Sequence, residues 1–394
     1  MTRLLSRLGK GALTGIDRVE LAYLEGLLGQ EKPVFGLARS PAGVLLLSET
    51  SLGEVLGWAK GATLPTRVDL IGRIGRKGQP ILAAVEARLR RAAIARAPIF
   101  LAGRMLRRHL PIGAVYLNVG HANLSDRILQ VLRNGAELKV VVMLHDTIPL
   151  DFPQYARADQ VKVFQRRVAA ISAHADLVLH TANATRAANE QQLARCGRVP
   201  PGLVAPLGVT LAEPDFAQVP KEIDLSPGYF VALGTIEPRK NHALLLDVWE
   251  RFASAGKSGP RLVILGNRGW ADPSLFTRLD KGVPGVTVHS GLSDAAVAAV
   301  LSRSSGLLFP TFAEGFGLPA LEAARLGVPV ICSDLPILRE ILGIDAIYLT
   351  PSDIYSWERT ILDRFLLGRN EVETVEKSGF FTWSEHLRIV LTGF

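Results

Sequence analysis

The second half of the chain alternates short apolar segments with helical patterns, and no other feature constrains the fold as much. From residue 229 onward, each apolar segment has the length and β-branched composition of a buried strand. Such alternation builds βαβ units, so it predicts a parallel sheet with helices on both faces. The predicted strands are 229–233, 261–265, 286–289, 306–309, 328–332 and 346–349, and the predicted helices are 241–253, 294–302, 319–326 and 336–342.

The first half shows a looser version of the same pattern, so we expect a second α/β domain there. Residues 206–227 contain four prolines and little periodicity, which is typical of an interdomain linker. The 394 residues therefore divide into domains 1–210 and 211–365, with a helical segment 366–394 that crosses back to the first domain. The predicted strands of the first half are 33–37, 44–48, 114–118, 139–144, 177–180 and 203–205, and the helices are 16–28, 79–96, 124–134, 159–175 and 184–196.

Two carboxylates, Glu314 and Glu322, lie eight residues apart at the predicted junction between strand 306–309 and the helix that follows. Glu314 falls in the loop, and Glu322 falls about two turns into the helix. Gly315 and Gly317 lie between them and let a ligand approach the backbone amides of the helix start. Because acids are unfavourable beside a phosphate, we interpret both as acceptors of sugar and ribose hydroxyls; the alternative is a loop with incidental acids.

Three further segments place polar residues after predicted strands or before a helix. Arg239 and Lys240 follow strand 229–233 at a helix start, where cations suit a diphosphate, although they could also be solvated surface cations. His145 and Asp146 follow strand 139–144, at the edge where parallel sheets bind ligands. A lone histidine in such a place is more often a structural hydrogen-bonder. Gly15 precedes a helix and is explained equally well as a turn glycine.

These segments together resemble the family-4 retaining glycosyltransferases. The run from Glu314 to Glu322 is similar to the Glu-x7-Glu motif of that family, and His145-Asp-x-x-Pro149 and Glu237-Pro-Arg-Lys-Asn241 match its other motifs. The resemblance covers most of the chain and is strongest from 229 to 343. It implies the GT-B fold, an α/β architecture of two Rossmann-like domains whose parallel sheets face a central cleft.

The resemblance also implies roles on the donor side of that cleft. Glu314 would position the donor sugar, Glu322 would accept from the ribose hydroxyls, and Lys240 and Arg239 would hold the diphosphate. We favour Lys240, because the chain has Thr235 where many relatives have an Arg. The further nucleotide-sugar contacts that we predict are Gly315, Phe316, Gly317, Leu318 and, for the base, Leu292.

On the opposite side, the resemblance implies that His145 contacts the donor sugar near the reacting carbon. Asp146 would either hold the His145 imidazole or serve the acceptor. The loop of Gly15 would lie over the diphosphate and the acceptor. The family's chemistry uses no covalent nucleophile, no metal and no cofactor besides the nucleotide-diphosphate sugar donor, and no Asp-x-Asp follows a strand here.

The implied function is transfer of a sugar, with a preference for GDP-mannose, to a glycan or lipid-linked glycan acceptor in surface polysaccharide biosynthesis. This follows because the two accessory motifs resemble those of bacterial mannosyltransferases. Two alternatives remain at this point. A sugar-nucleotide 2-epimerase shares the architecture, although acid–base partners would be expected in place of the two glutamates. A non-catalytic GT-B scaffold subunit would keep the fold and lose turnover.

The net charge of +8 is concentrated in residues 67–108, which contain eleven Lys or Arg and two acids, a net of +9. Apolar residues alternate with these cations in a helical pattern, so we predict binding to an anionic membrane surface; a solvated helix face is the alternative. Nucleic acid is a poorer partner because no aromatics interleave with the charges.

The remaining features concern location and the start of the chain. Two cysteines, no signal peptide and no apolar run of about 20 residues favour a cytoplasmic protein, peripheral at the inner face of the cytoplasmic membrane. Family members have a strand just before the segment that matches residues 2–5. We therefore expect that the translation start lies upstream of Met1, or that the N-terminal sheet lacks its first strand.

Overall fold

The computed structural model of the chain describes residues 1–10, 13–256, 259–367 and 381–393. The first hundred residues form helices around a three-stranded antiparallel sheet of order β1-β2-β3. Residues 2–7 are helical, so they supply no strand to any sheet. The elements are α1 (Thr2–Arg7), α2 (Gly15–Leu28), β1 (Gly36–Ser40), β2 (Gly43–Leu47), α3 (Glu49–Ala59), α4 (Leu70–Gly75), α5 (Pro80–Ala92), β3 (Ala95–Ala97) and α6 (Ile99–His109).

This small sheet corrects the interpretation of two predicted strands. The segments predicted at 33–37 and 44–48 form an antiparallel hairpin with Gly36 opposite Leu47, and they do not join a parallel sheet. The reason is the connection of two residues between β1 and β2, which is far too short for a parallel crossover. The helix predicted at 79–96 ends at Ala92, because the backbone N–H of Ile94 donates to the Leu46 carbonyl at 2.9 Å as the chain enters β3.

A four-stranded parallel sheet follows, with its strands in chain order β4-β5-β6-β7. Its centre is β5, where Val140, Val141, Val142 and Met143 are fully buried, as expected for a strand covered on both faces. The carboxyl end of β5 leads directly to His145. The elements are β4 (Val115–Asn118), α7 (Asp126–Gln130), β5 (Lys139–Met143), α8 (Ile148–Asp151), α9 (Ala158–His174), β6 (Leu177–His180), α10 (Asn183–Arg195) and β7 (Gly202–Val204).

The second half contains a six-stranded parallel sheet of order β10-β9-β8-β11-β12-β13. The direction of winding reverses between the neighbours β8 and β11, and ligands of such sheets bind beyond the strand ends at that reversal. The elements are β8 (Tyr229–Leu233), α11 (His242–Ser254), β9 (Arg261–Leu265), α12 (Pro273–Lys281), β10 (Val286–His289), α13 (Asp294–Ser302), β11 (Gly306–Phe309), α14 (Leu318–Arg325), β12 (Val330–Ser333), α15 (Pro336–Leu342), β13 (Ala346–Leu349) and α16 (Ile354–Leu367).

The last described helix, α17 (Trp383–Thr392), packs against α2 near the start of the chain. The buried Tyr23 hydroxyl donates to Nε2 of His386 at 2.6 Å, and Nδ1 of His386 donates to the Pro206 carbonyl at 2.9 Å. The predicted divisions at 210 and 365 stay a prediction, and residues 368–380 of the C-terminal segment lie outside the described part of the chain.

The basic segment 67–108 is more buried than its sequence predicts. Leu82, Val85 and Leu89 of α5 belong to the interior core, so the apolar face of this helix is not available to a membrane. Arg90 is 3% exposed and donates to both carboxylate oxygens of Asp69, at 2.6 and 2.8 Å. Arg90 therefore does not belong to the membrane-binding surface predicted for residues 67–108, because its charge is neutralised inside the domain.

None of the helices in the described ranges combines the length and the apolar character that crossing a membrane requires.

Candidate active site

The loops that follow β8 and β11 meet at the reversal point of the C-terminal sheet. Nζ of Lys240, from the first loop, lies 2.6 Å from Oε2 of Glu314, from the second. Nη1 of Arg239 lies 3.1 Å from the same oxygen. Lys240 and Arg239 are separated from Glu314 by 74 and 75 positions in the sequence, and the adjacency of β8 and β11 brings them together.

Arg239 also holds the two loops to each other. Its Nη1 donates to the Ala313 carbonyl at 2.8 Å, and its own carbonyl accepts from the backbone N–H of Phe312 at 2.8 Å. Nη2 of Arg239 lies 2.7 Å from Glu237. Both loops are therefore braced around a guanidinium, whereas Lys240 has Glu314 as its acidic partner and lies over the Phe309 ring at 4.4 Å.

The charges of this cluster decide its protonation. Burial by itself raises the pKa of Glu314, but the positive charges of Lys240 and Arg239 outweigh burial and lower that pKa to about 2. Burial lowers the pKa of Lys240, and the attraction of Glu314 opposes this shift. Electrostatic attraction outweighs burial for Glu314, because this carboxylate faces two cations, whereas burial outweighs attraction for Lys240. Glu314 therefore stays ionised at neutral pH.

Glu322 lies on α14 and forms an ion pair with a residue that sequence reasoning missed. Nη1 of Arg18, on α2, donates to Glu322 Oε1 at 2.7 Å, and Nη2 donates to Asp294 at 2.6 Å. Burial raises the pKa of Glu322, and the Arg18 charge opposes that shift. The available signal was the position of Arg18, one turn after Gly15 on a helix predicted to border the cleft.

His145 is buried, and its ring is held by backbone. Nε2 of His145 donates to the Val119 carbonyl at 2.7 Å, and the His145 backbone N–H donates to Nε2 of His121 at 3.3 Å. Burial lowers the pKa of His145 to about 4, so its imidazole is neutral at physiological pH. The His121 ring packs edge-on against it, with centroids 4.9 Å apart.

The Asp146 carboxylate contacts the backbone of Ile148 and lies against Gly315. Its Oδ1 accepts from the Ile148 backbone N–H at 3.1 Å, and its Oδ2 lies 2.7 Å from the point that a Cβ of Gly315 would occupy. Burial raises the pKa of Asp146, and the charge of Arg239 opposes this shift. Of the two roles considered for Asp146, the geometry favours the acceptor, because the His145 imidazole is held by Val119.

Each glycine of the predicted site is favoured by a different local constraint. Gly315 leaves room for Asp146 across the cleft. Gly317 has φ of 91° at the start of α14, and a Cβ there would lie 2.8 Å from Leu338. Gly15 begins α2, where a Cβ would lie 3.6 Å from Leu318. The first loop of the chain therefore faces the start of α14 directly.

Two hydrophobic candidates contribute to the core beneath the cleft. Phe316 is 8% exposed, and Leu292 is half-buried against the same hydrophobic cluster. Leu292 lies two residues before Asp294, which Arg18 contacts. Its predicted contact with a nucleotide base stays a prediction.

Contacts between the two halves surround the site. The rings of Tyr155 and Phe312 stack with centroids 5.2 Å apart and an interplanar angle of 6°. The Glu340 carboxylate accepts from the backbone N–H groups of Asn183 and Ala184 at 2.7 and 2.8 Å, so it caps α10 from the other domain. The chain therefore has two parallel sheets, and the loops at their strand ends line a cleft between them. This arrangement is the GT-B fold.

Comparison with known proteins agrees with this class. Residues 215–370 match the family model described as Glycosyl transferases group 1, so this part of the chain is a group 1 glycosyltransferase domain. The family resemblance predicted from the motifs is confirmed for that domain.

Two curated relatives extend the comparison. The O-antigen chain mannosyltransferase B of Escherichia coli is 26% identical over 226 residues, which cover 55% of this chain and 58% of the relative. The serotype-specific mannosyltransferase WbdA of Escherichia coli is 34% identical over 185 residues, which cover 45% of this chain and 22% of the relative. The chain thus spans between about a fifth and three fifths of these relatives.

Solved structures share the fold. Anabaena Alr3699/HepE in complex with UDP has a TM-score of 0.54 and 14% identity, covering 75% of this chain and 81% of that one. The apo form of the lipopolysaccharide outer core galactosyltransferase WaaB has a TM-score of 0.50 and 16% identity, covering 75% and 79%. At such identities the likeness concerns the fold alone, and the predicted GT-B fold is confirmed.

Proposed function

We propose that the protein is a retaining glycosyltransferase that transfers mannose from GDP-mannose to a glycan or lipid-linked glycan in surface polysaccharide biosynthesis. The observation that carries the proposal is the convergence of Lys240, Arg239 and Glu314 at the reversal point of the group 1 domain. The curated relatives carry names of O-antigen and serotype-specific mannosyltransferases, which supports mannose as the sugar. They also favour transfer over the epimerase and scaffold alternatives.

The ion pairs suggest how a donor enters this site. A diphosphate that reaches Lys240 competes with Glu314 for the ammonium group, because both are anions. Its binding releases the Glu314 carboxylate, which can then accept hydrogen bonds from the hydroxyls of the donor sugar. Lys240, Arg239 and the amides at the start of α14 stabilise the charge that develops on the leaving diphosphate, each strong donor contributing about 3–4 kcal/mol.

The opposite side of the cleft serves the sugar and the acceptor. His145, neutral and fixed by Val119, orients the donor sugar without adding a charge near the reacting carbon. Asp146 lies beside Gly315 and accepts a hydrogen bond from the attacking hydroxyl of the acceptor. These roles need no metal ion, so activity should persist in the presence of a chelator.

The decisive experiment incubates the purified chain with GDP-mannose and with UDP-sugars, with and without a chelator, and follows nucleotide release and acceptor modification. Transfer with retention of the anomeric configuration, seen by NMR, is the expected result. Inversion at carbon 2 of the donor without transfer would indicate the epimerase. Absence of both nucleotide binding and turnover would indicate the scaffold.

We further propose that the protein is cytoplasmic and binds the inner face of the cytoplasmic membrane through residues 67–108 and the adjoining Ile112. The exposed apolar surface lies on α4, on α6 and just after α6. Leu70, Ile74, Phe100 and Ile112 are 71%, 74%, 69% and 107% exposed. The exposed cations of the same region are Arg67, Arg73, Lys77, Arg91, Arg96, Arg104, Arg107 and Arg108, of which Arg107 is paired with Glu137.

A further inference from the structure

A cavity of about 580 Å³ opens on the N-terminal side of the proposed active site. Gly120 and His121, which follow β4, and Asp146, which follows β5, form one side of it. Because Asp146 also lies against Gly315, the cavity reaches the place where the acceptor hydroxyl is proposed to react. Its volume is within the range of small-molecule sites.

Four arginines line this cavity, and two of them have no acidic partner in the described ranges. Arg3 is paired with Asp17 at 2.7 Å, and Arg76 is paired with Glu86 at 2.6 Å. Arg39 is exposed, and no ion pair joins its side chain to a described residue. The fourth arginine, Arg167, is less exposed than Arg39.

Arg167 is half-buried, and its guanidinium lies 5.3 Å from the centroid of the Phe164 ring. No carboxylate among the described residues forms an ion pair with it. Burial lowers the pKa of Arg167, and repulsion from Arg3 adds to this shift. A guanidinium withdrawn from water without a counter-charge costs free energy, which an anionic ligand recovers.

The outer rim of the cavity adjoins the exposed apolar surface. Arg76 lines the cavity and directly follows α4, on which Leu70 and Ile74 are exposed. A ligand that combines an anionic group with an apolar chain therefore finds cations inside and an apolar helix outside. Phosphate and pyrophosphate suit the arginines because a guanidinium binds their oxygens in a bidentate manner.

We propose that this cavity binds a phosphate or pyrophosphate group of the acceptor, with Arg167 and Arg39 as its counter-charges. The acceptor thus extends from the arginines to Asp146. Its phosphate binds the arginines, and its reactive hydroxyl contacts Asp146. This inference rests on the proposed function, since it specifies the acceptor of that reaction.

The test titrates inorganic pyrophosphate into the full chain by calorimetry at low salt. Every protein carries Lys240→Gln, which removes one of the two donor-side cations and so weakens pyrophosphate binding at the donor site. In this background Arg167→Gln should weaken binding at least about tenfold, because it removes a charge-assisted hydrogen bond. Arg166→Gln, an exposed neighbour on the same helix, should leave it unchanged. Arg167→Lys, which keeps the charge, should give an intermediate affinity.

Equal pyrophosphate affinities for Arg167→Gln and Arg166→Gln, or no binding in the Lys240→Gln parent, would overturn the proposal. GDP binding is measured separately with Lys240 intact, and Arg167→Gln should leave it at the wild-type value. Failure of the proposed function, seen as no nucleotide binding at all, is thereby distinguished from failure of the cavity.

The source of the phosphate is decided by two further ligands. Mannose 1-phosphate in solution and a polyprenyl phosphate in phosphatidylcholine vesicles are compared, each against Arg167→Gln. Dependence on Arg167 for both, with tighter binding of the vesicle form, supports a lipid-linked acceptor. Equal binding of the two supports a soluble sugar phosphate, and binding that is independent of Arg167 for both contradicts the proposal.

Discussion

The Arg18 guanidinium donates to the Glu322 carboxylate at 2.7 Å from the opposite side of the cleft. Arg18 belongs to α2 of the N-terminal half, and Glu322 belongs to α14 of the group 1 domain. A second hydrogen bond from Arg18, to Asp294, strengthens the bridge. The carboxylate that we propose for the ribose is therefore already occupied, and a nucleotide must share or displace Arg18.

Replacing Arg18 with Gln should tighten nucleotide binding because it frees Glu322. A partly exposed ion pair contributes up to about 1 kcal/mol, so the expected gain in GDP affinity is up to about fivefold. Calorimetric titration of GDP measures it. The matched variant is Asp294→Asn, which leaves the Arg18–Glu322 pair in place and should not tighten binding. Weaker binding in Arg18→Gln would mean that Arg18 itself holds the nucleotide.

Replacements of Glu314 and Glu322 should have different effects on the steady-state kinetic constants. Glu322→Gln is expected to raise KM, because it removes a contact made equally in the ground and transition states. Glu314→Gln is expected to lower kcat, because that carboxylate lies beside the reacting sugar and the cations of the leaving group. Glutamine retains the side-chain volume in both cases. Wild-type kinetics in both variants would favour a loop with incidental acids.

Glu314 should also make stability depend on pH in the acid range. Its folded pKa of about 2 lies below the ordinary 4.5, so the unfolded chain binds the proton more readily. The stabilisation is fully present above pH about 4.5 and is lost as the pH falls towards 2. Urea unfolding near neutral pH and at about pH 3 should therefore show a smaller loss in Glu314→Gln than in the wild type. Glu31→Gln, at an exposed position, should behave as the wild type, and identical losses in all three proteins would contradict the shift.

Arg90 and Arg91 should differ sharply in their effect on folding. Arg90→Ala leaves Asp69 without its arginine and Glu86 with Arg76 alone, and it should lower the free energy of unfolding by about 3 kcal/mol. Arg91 is exposed, and its replacement by Ala should change that free energy by less than about 0.5 kcal/mol. Chemical denaturation measures both. Equal effects would mean that the burial of Arg90 carries no energetic weight.

Membrane binding should depend on α4 and on the exposed arginines. Leu70→Ser with Ile74→Ser removes two exposed apolar contacts, and Arg91→Glu with Arg108→Glu reverses two charges, each worth about 1 kcal/mol near an anionic surface. Both double variants should sediment less with anionic vesicles, and GDP binding should be preserved. Ile344→Ser, at an isoleucine that is 91% exposed in the group 1 domain, serves as the control. Sedimentation that is absent at low salt, or unaffected by these changes, would leave only a solvated surface.

Much of the fold was predictable because its signals are local. Strand and helix periods repeat within ten residues, and the segments around Tyr229, Arg261 and Gly306 form the strands that those periods predict. The loops after β8 and β11 were identified as the candidate site for the same reason. Since parallel strands end at one edge of the sheet, two local motifs could be assigned to one place.

The sequence near residue 90 was misleading because burial is not a local property. Arg90 and Arg91 are neighbours of the same type, yet one faces Asp69 inside the domain and the other faces solvent. The hairpin of β1 and β2 was likewise assigned to the wrong kind of sheet, since strand propensity does not specify a partner strand.

The sequence alone was thus enough to predict the α/β class, the loop that carries Glu314 and the family of the second half. Periodicity and motif spacing are properties of short segments, so they can be recognised without the tertiary structure. Only the tertiary structure decided which charges meet. It paired Arg18 with Glu322 over 304 positions, placed Asp146 against Gly315, and left Arg167 in a cavity beside Phe164. Electrostatic energy depends on distances in space and on exclusion of water, and neither quantity is set until distant segments have packed together.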